Sequence, residues 1–394
     1  MPRPELLSRL QQACTARAEA ELLRRLRCVS AADGAEIVIS GRRLWNFASN
    51  DYLGLAQHPR VCEALVAAAQ RWGVGATAAH LLGGHRDTHE ALEHKLAQWT
   101  GRERALLFSS GYLANLGVLV ALLREGDLCL QDKLNHACLL DGARLAGATL
   151  KRYVHADAAS ARRQLETAAQ SPALLATDGV FSMDGDVAPL RELATLCREQ
   201  NATLLVDDAH GLGVLGPDGA GSVAEAGLDA NDVPALMATL GKAVGVCGAF
   251  VAGSAMLVEG LVQFARTYVY STALPPALAA AAATAIDIAR HERWRRDRLQ
   301  TLIAHLRSGV QALGLTLLPS RTAIQPLLVG DSAAALGLSR ALESEGFYVP
   351  AIRPPTVPAG AARLRITLSA LHSESLVEQL LATLARHADS ARSV

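Results

Sequence analysis

The chain has 394 residues, with 38 basic and 38 acidic side chains, so its formal net charge is zero. That balance, with only 4% aromatic residues to stack on bases, excludes a typical nucleic-acid binder. Half of the residues are hydrophobic, which excludes wholesale disorder, and the length gives room for two cores. The cysteines (Cys14, Cys28, Cys62, Cys129, Cys138, Cys197 and Cys247) are odd in number, irregularly spaced and without a CxxC pair. They read as reduced thiols of a cytosolic protein, not as a disulfide frame or a zinc site.

Leucine and alanine alternate with charge at helical spacing over 4–27, which predicts an amphipathic N-terminal helix; the opening MPRPELLSRLQQ lacks the apolar run of a signal peptide. Residues 36–40 and 43–47, split by Ser40-Gly41, predict a hairpin. His58-Pro59 opens a helix to about Trp72, with proline in its first turn. The aperiodic stretch 73–87 predicts a loop, after which Thr88 caps a helix that Gly101 stops. Apolar runs at 104–108, 127–130, 149–153, 173–177, 203–207, 235–240 and 248–252 then alternate with helical patterns at 112–123, 137–146, 158–169 and 189–199. This alternation predicts a largely parallel sheet covered on both faces. The uncharged run from Ala105 to Leu123 is long enough to suggest a membrane span, but Ser109-Ser110-Gly111 and Asn115 break it into strand, turn and helix. After Pro275-Pro276 a helical stretch runs to about Leu313. A strand at 324–329, a helix at 332–345, a strand at 363–368 and a helix at 373–387 complete a smaller α/β unit. The expected division is 1–47 for a helix and hairpin segment, 48–285 for a large domain and 286–394 for a small C-terminal domain.

Two motifs invite a reading that their context rejects. Gly211 to Gly216 spells GxGxxG after a strand-like run, but a dinucleotide site needs that motif to open a helix. Pro217-Asp218-Gly219 follows instead, so the segment reads as a glycine-rich turn and not as an NAD site. The histidines His80, His85, His89 and His94 invite a metal, but HEALEH does not put two imidazoles on one helix face. They read as surface or loop histidines, with no metal expected.

Stronger signals sit at strand ends. Asp207 closes the strand at 203–207, where a buried parallel sheet presents side chains to a ligand crevice. Lys242 follows the run at 235–240 between small residues, where burial would lower its pKa and free it as a nucleophile or base. Ser109-Ser110-Gly111-Tyr112 stands between a strand and a helix, where first-turn N–H groups would bind a phosphate. A lysine, a carboxylate and a phosphate cup are what pyridoxal 5′-phosphate (PLP) requires.

The segments SNDYLGL (49–55), TDGVFSMDGD (177–186), VDDAHGLGVLG (206–216), TLGKAVGVCG (239–248), FARTYVYSTALPP (264–276) and IRPPTVPAG (352–360) resemble the α-oxoamine synthase family of fold-type-I PLP enzymes. The resemblance runs from about Arg24 to His372. It implies a PLP-dependent transferase of α/β class, a large mostly parallel sheet domain with a smaller C-terminal α/β domain. It also implies an acyltransferase that joins L-alanine to a pimeloyl thioester of CoA or acyl carrier protein with loss of carbon dioxide, in biotin biosynthesis. Relatives that join glycine or serine to another acyl-CoA are the alternative.

The resemblance further implies residue roles. Lys242 would bond the cofactor aldehyde and later move the α-proton, Asp207 would face the pyridine nitrogen and His210 the ring oxygen. His136 would stack on the ring and polarise the acyl carbonyl. Gly111 and Tyr112 would meet the phosphate, with Thr239 beside the lysine and Ser182 near the ring. Ser271 and Thr272 would reach the phosphate of a second subunit, which implies a homodimer with shared sites. Asn50 and Arg365 would hold the amino-acid carboxylate, and Arg24 and Thr356 would lie near the acyl substrate. Two departures stand out: Asp178 replaces the family's usual glutamate, which costs one methylene of reach, and Ala76-Thr77-Ala78-Ala79-His80 replaces a Gly/Ser-rich turn near the site entrance.

Overall fold

The computed structural model describes residues 5–20, 22–168 and 170–387. The predicted helix start at residue 4, residue 169 and the tail at 388–394 lie outside them. A helix α1 (Leu6–Glu19) leads to three antiparallel strands, β1 (Val29–Asp33), β2 (Glu36–Ile39) and β3 (Arg42–Asn46). The helix is shorter than the pattern suggested, and none of its residues is buried. Isolated short helices are marginal in water, and with no face to pack nothing extends this one to Arg27. Arg24 therefore lies in an exposed irregular segment.

Two helices follow, α2 (Pro59–Trp72) and α3 (Asp87–Thr100), before the central sheet begins. Its strands are β4 (Arg104–Phe108), β5 (Leu128–Asp132), β6 (Thr149–Tyr153), β7 (Ala173–Asp178), β8 (Thr203–Asp207), β9 (Ala235–Thr239) and β10 (Ala249–Gly253), in spatial order β4-β10-β9-β8-β7-β5-β6. β5 to β9 pair in parallel, whereas β10 runs antiparallel to both β9 and β4. Helices α4 (Gly111–Leu122), α5 (Ala137–Leu145), α6 (Ala158–Glu166), α7 (Leu190–Glu199), α8 (Ser222–Glu225), α9 (Ala255–Phe264) and α10 (Arg266–Val269) follow in chain order. Two apolar clusters form around this sheet, one with Val118, Leu139, Leu174 and Val251, the other with Leu130, Leu175, Leu193 and Val206. Neighbouring residues of one strand thus serve opposite clusters, as in a sheet packed on both faces.

The stretch expected as one helix after Pro276 is two, α11 (Pro276–His291) and α12 (Trp294–Ala312). Strands β11 (Ile324–Gly330), β13 (Ala351–Ile352) and β14 (Ala362–Thr367) form an antiparallel sheet in the order β11-β14-β13, while β12 (Phe347–Tyr348) joins β3 in parallel. Helices α13 (Ser332–Ser344) and α14 (Glu374–Arg386) accompany it. Among the described residues no helix is long and apolar enough to cross a membrane. The suspect run at 105–123 is β4, a Ser110-capped turn and α4.

The GxGxxG segment behaves as a turn. Gly213 and Gly216 have φ of +84° and +74°, and a side chain at Gly211 would run into the Asp208 carboxylate. That carboxylate accepts bonds from the Ser222 hydroxyl at 2.6 Å and the Ser222 N–H at 2.8 Å, which closes the turn on itself.

Candidate active site

A cavity of about 210 Å³ opens at the carboxyl ends of the parallel strands. Its lining includes Gly111, Tyr112, His136, Ser182, Asp207, His210, Thr239 and Lys242, together with Cys138 and Asp178. The topology dictates this gathering. Asp178 and Asp207 end the adjacent parallel strands β7 and β8 in register, Thr239 ends β9, and Gly111 begins the helix after β4. Ligands of open α/β sheets bind at this edge.

On one wall, the Lys242 Nζ lies 2.8 Å from the His210 Nε2. The His210 Nδ1 lies 2.6 Å from the Tyr52 hydroxyl, and that hydroxyl lies 3.2 Å from the Asn50 Oδ1. Burial pushes Tyr52 up to about 12, so it stays a phenol that can donate. Burial, with the positive Lys242 and Arg365 nearby, holds His210 well below its usual value and therefore neutral. Burial likewise lowers Lys242, against the opposing pull of Asp207 and Asp178. One proton arrangement satisfies all three contacts: Lys242 donates to Nε2, Nδ1–H to Tyr52, and Tyr52 to Asn50. Arg365, buried on β14, reaches this chain with its Nη2 at 3.4 Å from the Asn50 Oδ1, while its Nε donates to the Ser182 carbonyl at 2.7 Å.

On the opposite wall, Asp207 accepts from the Ala209 N–H at 3.0 Å and from the Asn115 Nδ2 at 2.7 Å. His136 caps α5, its Nδ1 accepting from the Cys138 N–H at 3.3 Å. The shorter Asp178 keeps a contact: its carboxylate accepts from the His136 N–H at 3.2 and 3.4 Å. Burial and the neighbouring Asp207 raise Asp178 well above the usual carboxylate range.

The donor set fits PLP. An amine of lowered pKa suits an aldehyde, and a buried carboxylate suits a protonated ring nitrogen. The first-turn N–H groups of the twelve-residue α4 suit a phosphate.

The predicted residues outside this cavity sort into groups. Asn50 and Arg365 join it through Tyr52 and Ser182. Arg24 and Thr356 are exposed and line no part of it. Ser271 is half-buried and Thr272 exposed, in a segment whose Thr272 bridges Ala79. Tyr52, Asn115 and Cys138 carry contacts that the sequence reading did not single out. For Asn115 the signal was present, since an amide in the middle of an uncharged apolar helix needs a polar partner.

The histidine cluster corrects the expectation. His94 is exposed, but His80 and His89 are buried and His85 is half-buried, and ligand atoms of these three lie within 4.8 Å of one another. The loop folds inward, so residues scattered along it converge. The His80 Nδ1 contacts the His85 Nδ1 at 2.9 Å, and the His80 ring stacks on Tyr268 with centroids 4.9 Å apart. His89 uses both nitrogens on backbone, accepting from the Arg86 N–H at 2.9 Å and contacting the Leu274 carbonyl at 2.6 Å. The α3 cap is accordingly His89 acting back on Arg86, and not Thr88, whose buried hydroxyl has no hydrogen-bond partner.

The family model of class I and II aminotransferases matches residues 42–384. The chain is 56% identical over 369 residues to an 8-amino-7-oxononanoate synthase of Pseudomonas putida, with 94% of each chain covered. The chain belongs to the α-oxoamine synthases of this aminotransferase family. In three dimensions it is similar to the serine palmitoyltransferase of Sphingomonas wittichii, at a TM-score of 0.94 and 33% identity over 98% of this chain and 99% of the other. A variant serine palmitoyltransferase from S. paucimobilis, solved with a bound PLP–myriocin aldimine, gives a TM-score of 0.93 at 28% identity, with 99% of this chain and 100% of the other covered.

Proposed function

We propose that this α-oxoamine synthase joins L-alanine to a pimeloyl thioester with loss of carbon dioxide. The products are 8-amino-7-oxononanoate and free thiol, in biotin biosynthesis. The observation that carries the reading is the convergence of Lys242, Asp207, His210 and His136 on one cavity, in a chain 56% identical to a relative of that name. Bound PLP supplies an electron sink for the α-carbanion and again for decarboxylation.

The residues divide the remaining work. Lys242 holds the cofactor and, released as a neutral amine, takes the α-proton on its Nζ; its lowered pKa makes that amine available. Asp207 would hold a proton on the ring nitrogen, His210 would hydrogen-bond the ring oxygen, Gly111 and Tyr112 would meet the phosphate, and Thr239 would stand beside Lys242. Ser182 lines the cavity, where it would border the ring, and supplies the carbonyl that fixes Arg365. Arg365 and Asn50 orient the amino-acid carboxylate, a planar anion that suits a guanidinium fork. His136 offers a ring nitrogen to the acyl carbonyl. Arg24 and Thr356 meet the acyl chain or its carrier. Ser271 and Thr272 contribute to the phosphate site of a second copy in a homodimer, a reading supported by the exposure of Thr272 and of Tyr270 beside it.

The strong similarity to serine palmitoyltransferases favours one second reading, condensation of serine or glycine with another acyl thioester. A substrate panel separates the two. Carbon dioxide release that requires L-alanine with pimeloyl thioester supports the first reading; clear preference for serine or glycine overturns it.

A further inference from the structure

Cys138 lines the cofactor cavity but has no role in the reaction as described above. Its thiol lies 2.9 Å from the Nδ1 of His136 and 3.0 Å from the Nδ2 of Asn115. Asn115 is fully buried on α4, and its Nδ2 also lies 2.7 Å from the Asp207 Oδ2. The two Asn115 contacts have only one consistent direction. A carboxylate can only accept, so the amide must turn its NH₂ and not its oxygen towards Asp207. One N–H is then spent on Asp207, and the second points at the sulfur. The Asn115 Oδ1, left on the far side, has no hydrogen-bond partner. The sulfur, already accepting, has one S–H, and the remaining neighbour is the His136 Nδ1. Burial and the nearby Asp207 raise the thiol pKa, which keeps that hydrogen in place.

We propose that Cys138 is a positioning residue that fixes the tautomer of His136, which lines the cavity: its S–H occupies Nδ1 and leaves the ring proton on Nε2. The backbone acts in the same sense, since the Cys138 N–H also donates to Nδ1 at 3.3 Å. Two donors on one nitrogen require it to be the unprotonated one. His136 therefore presents an N–H to the substrate, the form that hydrogen-bonds and polarises a thioester carbonyl; the other tautomer would present a lone pair and repel that oxygen. The direction starts at Asp207, so the carboxylate facing the cofactor ring and the imidazole facing the acyl group belong to one polarised chain, Asp207–Asn115–Cys138–His136.

This inference rests on the assigned place of His136 in the cavity, but its first readout is independent of which substrates the enzyme uses. In holoenzyme carrying ¹⁵N-histidine, with the His136 signal identified by its loss in His136→Asn, Nδ1 shows the unprotonated and Nε2 the protonated type of shift. A proton on Nδ1 overturns the proposal without any further variant. Cys138→Ser keeps a donor and is expected to keep both the tautomer and a kcat within a few-fold of the parent. Cys138→Ala removes the donor and lowers kcat about tenfold or more, with the KM for the amino acid nearly unchanged. Equal loss in the serine and alanine variants, or unchanged kcat and tautomer in the alanine variant, overturns it.

Discussion

Two groups of histidines lie in this molecule, and they spend their nitrogens differently. In the cavity, His136 turns Nδ1 to its own helix cap, and His210 hands its contacts along a chain from Lys242 to Asn50. In the cluster beside α3, His89 commits both nitrogens to backbone, and His80 and His85 turn to each other. Burial lowers all three cluster histidines, His80 to about 3, so they are neutral. The Glu93 carboxyl beside them is pushed up to about 7 by burial, and accepts from the Leu107 N–H at 2.9 Å. Collections of titratable side chains therefore do not by themselves mark chemistry. The difference is that His136 and His210 line a cavity beside Lys242.

This contrast breaks most sharply under substitution. Lys242→Ala is expected to cut carbon dioxide release by roughly 10⁴-fold or more, because base and anchor vanish together, while the thermal midpoint moves little. Near-normal turnover would remove the cavity from consideration as the active site. Asp207→Asn keeps shape but loses charge, and kcat should fall by roughly 10²-fold or more with weakened cofactor retention, read by absorbance after dialysis.

In the cluster the signs reverse. His89→Ala strands the Arg86 N–H and the Leu274 carbonyl and leaves a hole, at a cost of about 2–3 kcal/mol in urea unfolding. The folded fraction should keep its kcat; a selective loss of kcat would move the cluster into the catalytic machinery.

The smallest effect concerns pH. Although burial disfavours its charge, His155 is hydrogen-bonded to Asp132 at 3.0 Å and Asp186 at 2.8 Å and is raised from 6.5 to about 10. Its folded pKa exceeds the unfolded one, so the stabilisation is complete below pH 6.5 and fades as pH rises through about 10. Thermal midpoints measured across that window should decline, and His155→Gln should flatten the slope. A parent slope no steeper than the variant's would dismiss the pair of ion contacts as a stabilising clamp.

The sequence exposed what depends on local pattern. Apolar runs located the strands, and Asp207 and Lys242 were legible because each closes or follows such a run. The break between α11 and α12 was not, since the alanine and arginine pattern continues across it. The length of α1 misled because its periodicity resembles that of a packed helix, yet among the described residues no surface buries any of it. The inward fold of the loop at 73–87 and the Asn115–Cys138 contact depend on elements far apart in the chain packing together, and no spacing rule reports that.

Lys242 rides on the one hairpin of the central sheet among the described residues, in the link 240–248 between β9 and β10. That link is tied at its base by the Leu240 N–H on the Gly248 carbonyl at 2.9 Å and the Thr239 hydroxyl on the same oxygen at 3.0 Å. Inside it, the Gly245 N–H returns to the Lys242 carbonyl at 2.8 Å. The amine thus hangs on a closed tether, whereas the carboxylates opposite it arrive by long crossovers. One residue added to or removed from the tether would change the throw of the amine and leave the cavity walls in place. The length of this short link is a ruler, and in the proposed reaction it sets how far the Lys242 amine can swing between cofactor and substrate.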